Sequence, residues 1–150
     1  MPPNDISPAT FRRLEKAAKA AARASYSPYS NFKVGAAILA GSGRVYVGSN
    51  VENASYGLCN CAERTAIFTA TAAGERTLKA VVVYTPTPSP TMPCGACRQV
   101  INEFGPQAIV VAVCNSGQRK EATLPQLLTD AFGPEKLLKE RPRAPVHKKR

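Results

Sequence analysis

Cys61, Cys94 and Cys97 constrain this 150-residue chain more than any other feature. They stand in two short runs, Cys61-Ala62-Glu63 and Pro93-Cys94-Gly95-Ala96-Cys97, each where a loop gives way to a helical pattern. Cys94 and Cys97 are three residues apart, so one helical turn can aim both sulfurs at one point. Cys61 opens the other helix. A fold in which the two helix starts face each other gathers three thiols. Three protein ligands with a fourth position kept for water is the pattern of catalytic zinc. The sole histidine, His147, lies in a basic run near the C-terminal end, so a catalytic zinc site here has to be all-thiolate. By itself the C-x-x-C pair also suits a thioredoxin-like redox pair or half of a structural zinc ribbon. Cys-Ala-Glu, 33 residues upstream at a second helix start, weighs against both.

The rest of the chain supplies a scaffold of one domain's size. Ser7-Pro8 reads as an N-cap and a first-turn proline, and Phe11, Leu14, Ala18, Ala21 and Ala22 recur at helical spacing to about Ser25. Phe32 to Leu39 reads as a strand, Gly41-Ser42-Gly43 as a turn, and Val45 to Gly48 as the hairpin partner. A helix over Ala62–Ala73 stops at Gly74; a buried strand follows over Lys79–Tyr84, then a proline-rich loop from Thr85 to Pro93. A helix over Gly95–Phe104, a strand over Ala108–Val113 and a short terminal element, a helix over Leu124–Phe132 or else a strand, complete the pattern. Alternating strands and helices indicate a layered α/β domain with a mixed sheet covered by helices. The first strand pair should be antiparallel, and the later, helix-bridged pairs parallel.

Charge and hydropathy narrow the function classes. The chain has no run of 18 apolar residues, so a helical membrane span is not expected. The N-terminal MPPNDISPATFRR lacks the apolar core of a secretory signal, and a cytoplasmic address, with reduced thiols, is the expectation. The formal charge of +10 suggests nucleic acid until its distribution is read. From Lys139 onward six basic residues stand against Glu140, a net +5 in a segment with two prolines and little that is apolar. Residues 139–150 are expected to form a disordered basic tail and residues 1–138 the domain. Nucleic acid is not the expected partner.

Glu63 is two residues beyond a ligand and is not needed as one. There it can take a proton from water activated at the metal and hand it to a substrate. Three thiolates around one zinc ion carry a net negative charge, which weakens the pull on water. Helix dipoles offset this, as would Arg64 if its guanidinium donates to the ligand sulfurs. Cys59 and Cys114 are expected to be non-ligand cysteines, behaving as small buried hydrophobes.

A cysteine-rich zinc site with a non-ligand glutamate and a P-C-x-x-C signature is the arrangement of zinc deaminases that act on nucleobases. The chain resembles the small, homotetrameric cytidine deaminases from roughly Pro8 to Leu138. The likeness runs through Ser27 to Ala37, Asn50 to Gly57, Cys61 to Ala66, Pro93 to Gln99 and Leu127 to Pro134. It implies a three-layer α/β sandwich of about five strands and one zinc ion per subunit. The implied reaction is hydrolytic deamination of cytidine and deoxycytidine, for pyrimidine salvage. It also implies that Phe32 packs on the pyrimidine, that Asn50 and Glu52 bond the ribose 3′-hydroxyl, and that the Ala62 backbone meets the base. Phe132 is implied to reach a neighbouring subunit's site, and Tyr56 to lie at a subunit contact. Each has a plainer reading: core aromatics for Phe32 and Phe132, turn residues for Asn50 and Asn53, a solvated loop charge for Glu52.

Three competing functions share parts of this pattern. A deaminase of a nucleoside antibiotic such as blasticidin S would keep the zinc site, but the Asn50–Glu52 pair argues for ribose. A polynucleotide deaminase has only the basic tail in its favour, and a glutamate at the 3′-hydroxyl would repel a 3′-phosphate. A non-catalytic zinc-stabilised binding module would not need Glu63.

Overall fold

A computed structural model describes residues 5–139. The basic segment from 140 onward, with the tail expected there, lies outside the described residues. The chain order is α1 (Pro8–Ala21), β1 (Gly35–Ala40), β2 (Val45–Ser49), α2 (Ala62–Ala72), β3 (Leu78–Tyr84), α3 (Gly95–Phe104), β4 (Ile109–Val113), β5 (Arg119–Thr123), α4 (Leu124–Leu127) and α5 (Pro134–Lys139). Ser7 caps α1, its hydroxyl accepting from Thr10 N–H at 3.2 Å. The helix tightens into a 3-10 turn at Ala22–Ala24 and so stops short of Ser25.

The five strands form one mixed sheet in the order β2-β1-β3-β4-β5. Successive side chains on a strand face opposite ways. Ala37 and Leu39 of β1 and Ala80 and Val82 of β3 therefore pack with Leu14, Ala18 and Ala22 of the α1 region. Ala36, Ile38, Val81 and Val83 pack on the other face with Ala62, Ala66 and Ile67 of α2 and Ile101 of α3. The result is the three-layer sandwich.

Both helix-bridged pairs of strands run in a common direction, but only one pair is adjacent in the sheet. β3 and β4, joined through α3, are parallel, whereas β2 and β3, joined through α2, are not neighbours. β1 lies between them, antiparallel to both. An α2 crossover leaves room for one strand, and the apolar GAAILA run, buried at every position, takes that central place. The C-terminal region also departs from expectation. Arg119–Thr123 is a strand antiparallel to β4, and the helix that follows covers only Leu124–Leu127, not the span to Phe132.

Gly48 decides how close α2 lies. A Cβ there would sit 2.4 Å from Ala66 N and 2.8 Å from Ala62 O. With no side chain at that point of β2, the first turn of α2 rests directly on the sheet, and Cys61 is placed by it.

Candidate metal centre and adjoining cleft

Cys61 and Cys94 are the N-cap residues of α2 and α3, both with extended backbone and neither side chain spent on capping. Cys97 sits in the first turn of α3 and is fully buried. The three sulfurs lie within 4.8 Å of one another, and the Cys61 and Cys94 sulfurs are 3.8 Å apart. Zinc–sulfur bonds of ~2.3 Å at tetrahedral angles put ligand sulfurs about 3.8 Å apart. The donor set therefore fits zinc, with two helix N-termini directed at the cluster.

The bare thiols divide their charge unevenly. Cys61 is lowered to about 5, chiefly because the Cys97 thiol donates to it, with help from Arg64 and Cys94 and against the effect of burial. Cys97 is pushed up by that same hydrogen bond, by burial and by the charge on Glu63. Holding a metal requires all three to lose their protons. Arg64 Nη2 lies 3.4 Å from the Cys61 sulfur, and this contact is the chief cause that raises its guanidinium further above an already high ordinary value. Its buried Nε has no hydrogen-bond partner among the described residues.

Glu63 is 5% exposed, an unusual burial for a carboxylate. Burial raises it to about 7, with the Cys61 charge adding to the effect. The carboxyl borders a cleft of about 310 Å³ that also takes in Cys61, Cys94, Phe32, Asn50, Glu52 and Ala62. Thr85, just beyond β3, and Thr91 and Met92 of the following loop also line it. In the sequence they belong to a proline-rich loop, and nothing in such a segment marks the face it turns inward.

The part of the cleft lined by Phe32, Asn50 and Glu52 is held by side chains. Asn50 Oδ1 accepts from Ser25 Oγ at 2.5 Å and from Val34 N–H at 2.9 Å, and its Nδ2 donates to Phe32 C=O at 2.7 Å. These bonds replace ladder pairing, which is why β1 begins at Gly35 rather than Phe32. Both carbonyl lone pairs of Asn50 are used, so only one N–H remains for a ligand. Glu52 Oε1 accepts from Tyr29 N–H and Ser30 N–H at 3.0 and 3.1 Å, and Oε2 accepts from Ser30 Oγ at 2.5 Å. The carboxyl is held below the ordinary carboxylate range, chiefly by the Ser30 hydroxyl and against desolvation.

The remaining residues fall outside this arrangement. Phe132 is 61% exposed and does not border the cleft of its own chain; its C=O accepts from Gln99 and Asn102. Tyr56, also exposed, meets Tyr29 edge to face with ring centres 5.7 Å apart. Cys114 is buried, but Cys59 is only half-buried, because the turn at Asn53–Cys59 turns its thiol toward the cleft. Neither joins the three-sulfur cluster. Arg98, overlooked in the sequence, ties the start of α3 down by donating to Pro93 C=O and Leu127 C=O at 2.8 and 3.0 Å.

The family model for the cytidine and deoxycytidylate deaminase zinc-binding region matches residues 10–113. The chain belongs to this deaminase family. As a family member it is 47% identical to the cytidine deaminase of Sporosarcina psychrophila over 126 residues, covering 83% of this chain and 93% of that protein. It is 49% identical to the cytidine deaminase of Halalkalibacterium halodurans over 120 residues, or 79% and 91% of the two chains. Among solved structures, the cytidine deaminase from Burkholderia pseudomallei aligns with a TM-score of 0.79 at 53% identity, covering 82% of this chain and 99% of that one. The matched zinc-binding region of this deaminase family member takes in all three clustered cysteines and stops before Phe132. No helix of the described residues is long and apolar enough to cross a membrane.

Proposed function

We propose that the protein deaminates cytidine and deoxycytidine hydrolytically, yielding uridine or deoxyuridine and ammonia, with one zinc ion per subunit held by Cys61, Cys94 and Cys97. The observation that carries the proposal is a buried carboxyl, Glu63, sharing one cleft with the sulfur cluster and with Phe32, Asn50 and Glu52. The relatives named cytidine deaminase support the choice of base and sugar.

Zinc, when bound, supplies a Lewis acid that makes water nucleophilic near neutral pH. Glu63 takes a proton from the attacking water and delivers it to ring nitrogen N3 as the new bond forms at C4. It then takes the proton of the new C4 hydroxyl and delivers it to the amino group, so that C4–N breaks, ammonia leaves and the C4 carbonyl forms. A group held near neutrality suits both directions of transfer, and Glu63 lies at about 7 through burial. Arg64 draws charge from the Cys61 sulfur. Phe32 packs on the pyrimidine, and the Ala62 N–H, in a first turn whose amides lack helical acceptors, faces the base. The sugar contact is directional: the last Asn50 N–H donates to the 3′-oxygen, and the 3′-hydroxyl donates to Glu52.

The active form is a homotetramer in which Phe132 completes a neighbour's site and Tyr29 and Tyr56 meet another subunit. Supporting this, Tyr29, Tyr56, Leu58 and Phe132 are exposed apolar side chains. The work of such an enzyme is pyrimidine salvage in the cytoplasm. One ultraviolet assay tests the proposal: cytidine should be converted, and a strong chelator should abolish the conversion. Faster turnover of blasticidin S or of single-stranded polynucleotide than of cytidine would assign the site to those substrates. Zinc without any turnover would make it a binding module.

A further inference from the structure

We propose that Ser30 is a positioning residue that sets the sugar-binding carboxylate and the base-facing aromatic together, and so governs selection for the 3′-hydroxyl. This rests on the sugar contact proposed above. The hydroxyl of Ser30 sits between the two groups: it donates to Glu52 Oε2 at 2.5 Å and accepts from Phe32 N–H at 3.1 Å. Asn31, between them in sequence, has a φ of 55°, and this left-handed residue folds Phe32 N–H back onto the hydroxyl.

The direction of the relay is fixed. Because a backbone N–H occupies the acceptor side of Ser30 Oγ, its proton goes to Glu52. With Oε1 taken by two backbone N–H groups and Oε2 by Ser30, one lone pair of Oε2 remains for a donor on the ligand. A sugar 3′-hydroxyl supplies such a donor; a 3′-deoxy sugar does not, and a 3′-phosphate brings like charge.

The turn itself does not depend on this hydroxyl. Asn31 N–H donates to Ser27 C=O at 2.9 Å, and the chain on either side is tied by Tyr26 N–H to Asn50 C=O and Glu52 N–H to Tyr26 C=O, at 3.1 and 2.8 Å. Ser30 is exposed, so removing its oxygen opens no cavity. Its loss should therefore be felt in substrate selection rather than in folding.

The experiment compares kcat and KM for cytidine and 3′-deoxycytidine in the wild-type protein, Ser30→Ala and Ser30→Thr, with zinc content and Tm measured for each. Wild type should prefer cytidine. Ser30→Ala should raise KM for cytidine about tenfold, leave kcat within about threefold, and shrink the cytidine preference in kcat/KM about tenfold. Ser30→Thr, which keeps a hydroxyl, should restore the preference. In a Glu52→Gln background the alanine change should add little. A preference undiminished in Ser30→Ala overturns the assignment of Ser30 while leaving the sugar contact standing. So does an equal loss on both substrates, or a loss of zinc, or a threonine variant as impaired as alanine. If wild type itself shows no preference for the 3′-hydroxyl, the sugar contact fails and Ser30's role fails with it. Absence of cytidine turnover would overturn the deaminase reading as a whole.

Discussion

Cys61 and Cys94 cap two helices, and Cys97 sits in the first turn of the second, all anchored by helix faces buried in the core, whereas Phe32, Asn50 and Glu52 hang from irregular backbone lining the same cleft. The first wall gets its rigidity from main-chain geometry, with Gly48 letting α2 lie against β2 and Arg98 tying down the start of α3. The second gets it from side chains that take the place of a ladder: Asn50 holds Val34 and Phe32, and Glu52 holds the turn at Tyr29–Ser30. On the proposed function, chemistry that tolerates little displacement rests on regular elements, and recognition rests where a few side-chain substitutions can retune it.

Changes on the helical wall should cost turnover, and the largest loss is expected from Glu63→Gln. Its kcat should fall by about 10²–10⁴, the usual share of a general acid–base group, with zinc content unchanged. Activity surviving at wild-type level would remove the proton shuttle from Glu63. Arg64→Gln should lower zinc affinity or activity by about 10–100-fold, read by competition with a chelator and by kcat. Unchanged metal content and kinetics would leave the guanidinium contact with Cys61 as packing alone.

Changes on the loop wall should spare the metal. Asn50→Ala leaves Val34 N–H and Phe32 C=O without their partner, at a cost of about 1–3 kcal/mol in stability. Denaturant unfolding should show that loss alongside a raised KM, with zinc still bound at one equivalent. Loss of zinc would mean the two walls are not independent. The smallest effect concerns pH. Glu52 is held below its ordinary value of 4.5, so its ionised form persists as pH falls through 4.5 and is lost only below. Affinity for the product uridine, whose base gains no proton in this range, measured in Glu63→Gln so that the second carboxyl does not titrate, should stay flat down to about that pH and weaken under it. Weakening that begins well above 4.5 would mean the Ser30 hydroxyl does not favour the charged form.

The same contrast explains what could be read in the sequence. Helix starts have local signals, so Ser7-Pro8, the Cys61 run and the Pro93 to Cys97 run were legible, and with them the prospect that three sulfurs meet. The alternating pattern also gave the layers of the fold. Strand order is not a local property: the apolar GAAILA run suits a strand covered on both faces, but nothing in it names β2 and β3 as the neighbours of β1. The loop wall was legible only as a list of residues. That Asn50 spends its carbonyl on Ser25 and Val34, and so can only donate to a ligand, depends on partners 25 and 16 positions away. Phe132 shows the limit most clearly, since a residue lying outside its own chain's cleft takes its expected meaning from another subunit.

Zinc K-edge X-ray absorption on the purified protein tests the sulfur cluster most directly. Three sulfur scatterers at about 2.3 Å with one lighter oxygen or nitrogen neighbour are expected, the lighter atom marking a position open to water beside Glu63. Four sulfurs around the metal, or zinc with no sulfur neighbours, would contradict a catalytic centre built on Cys61, Cys94 and Cys97.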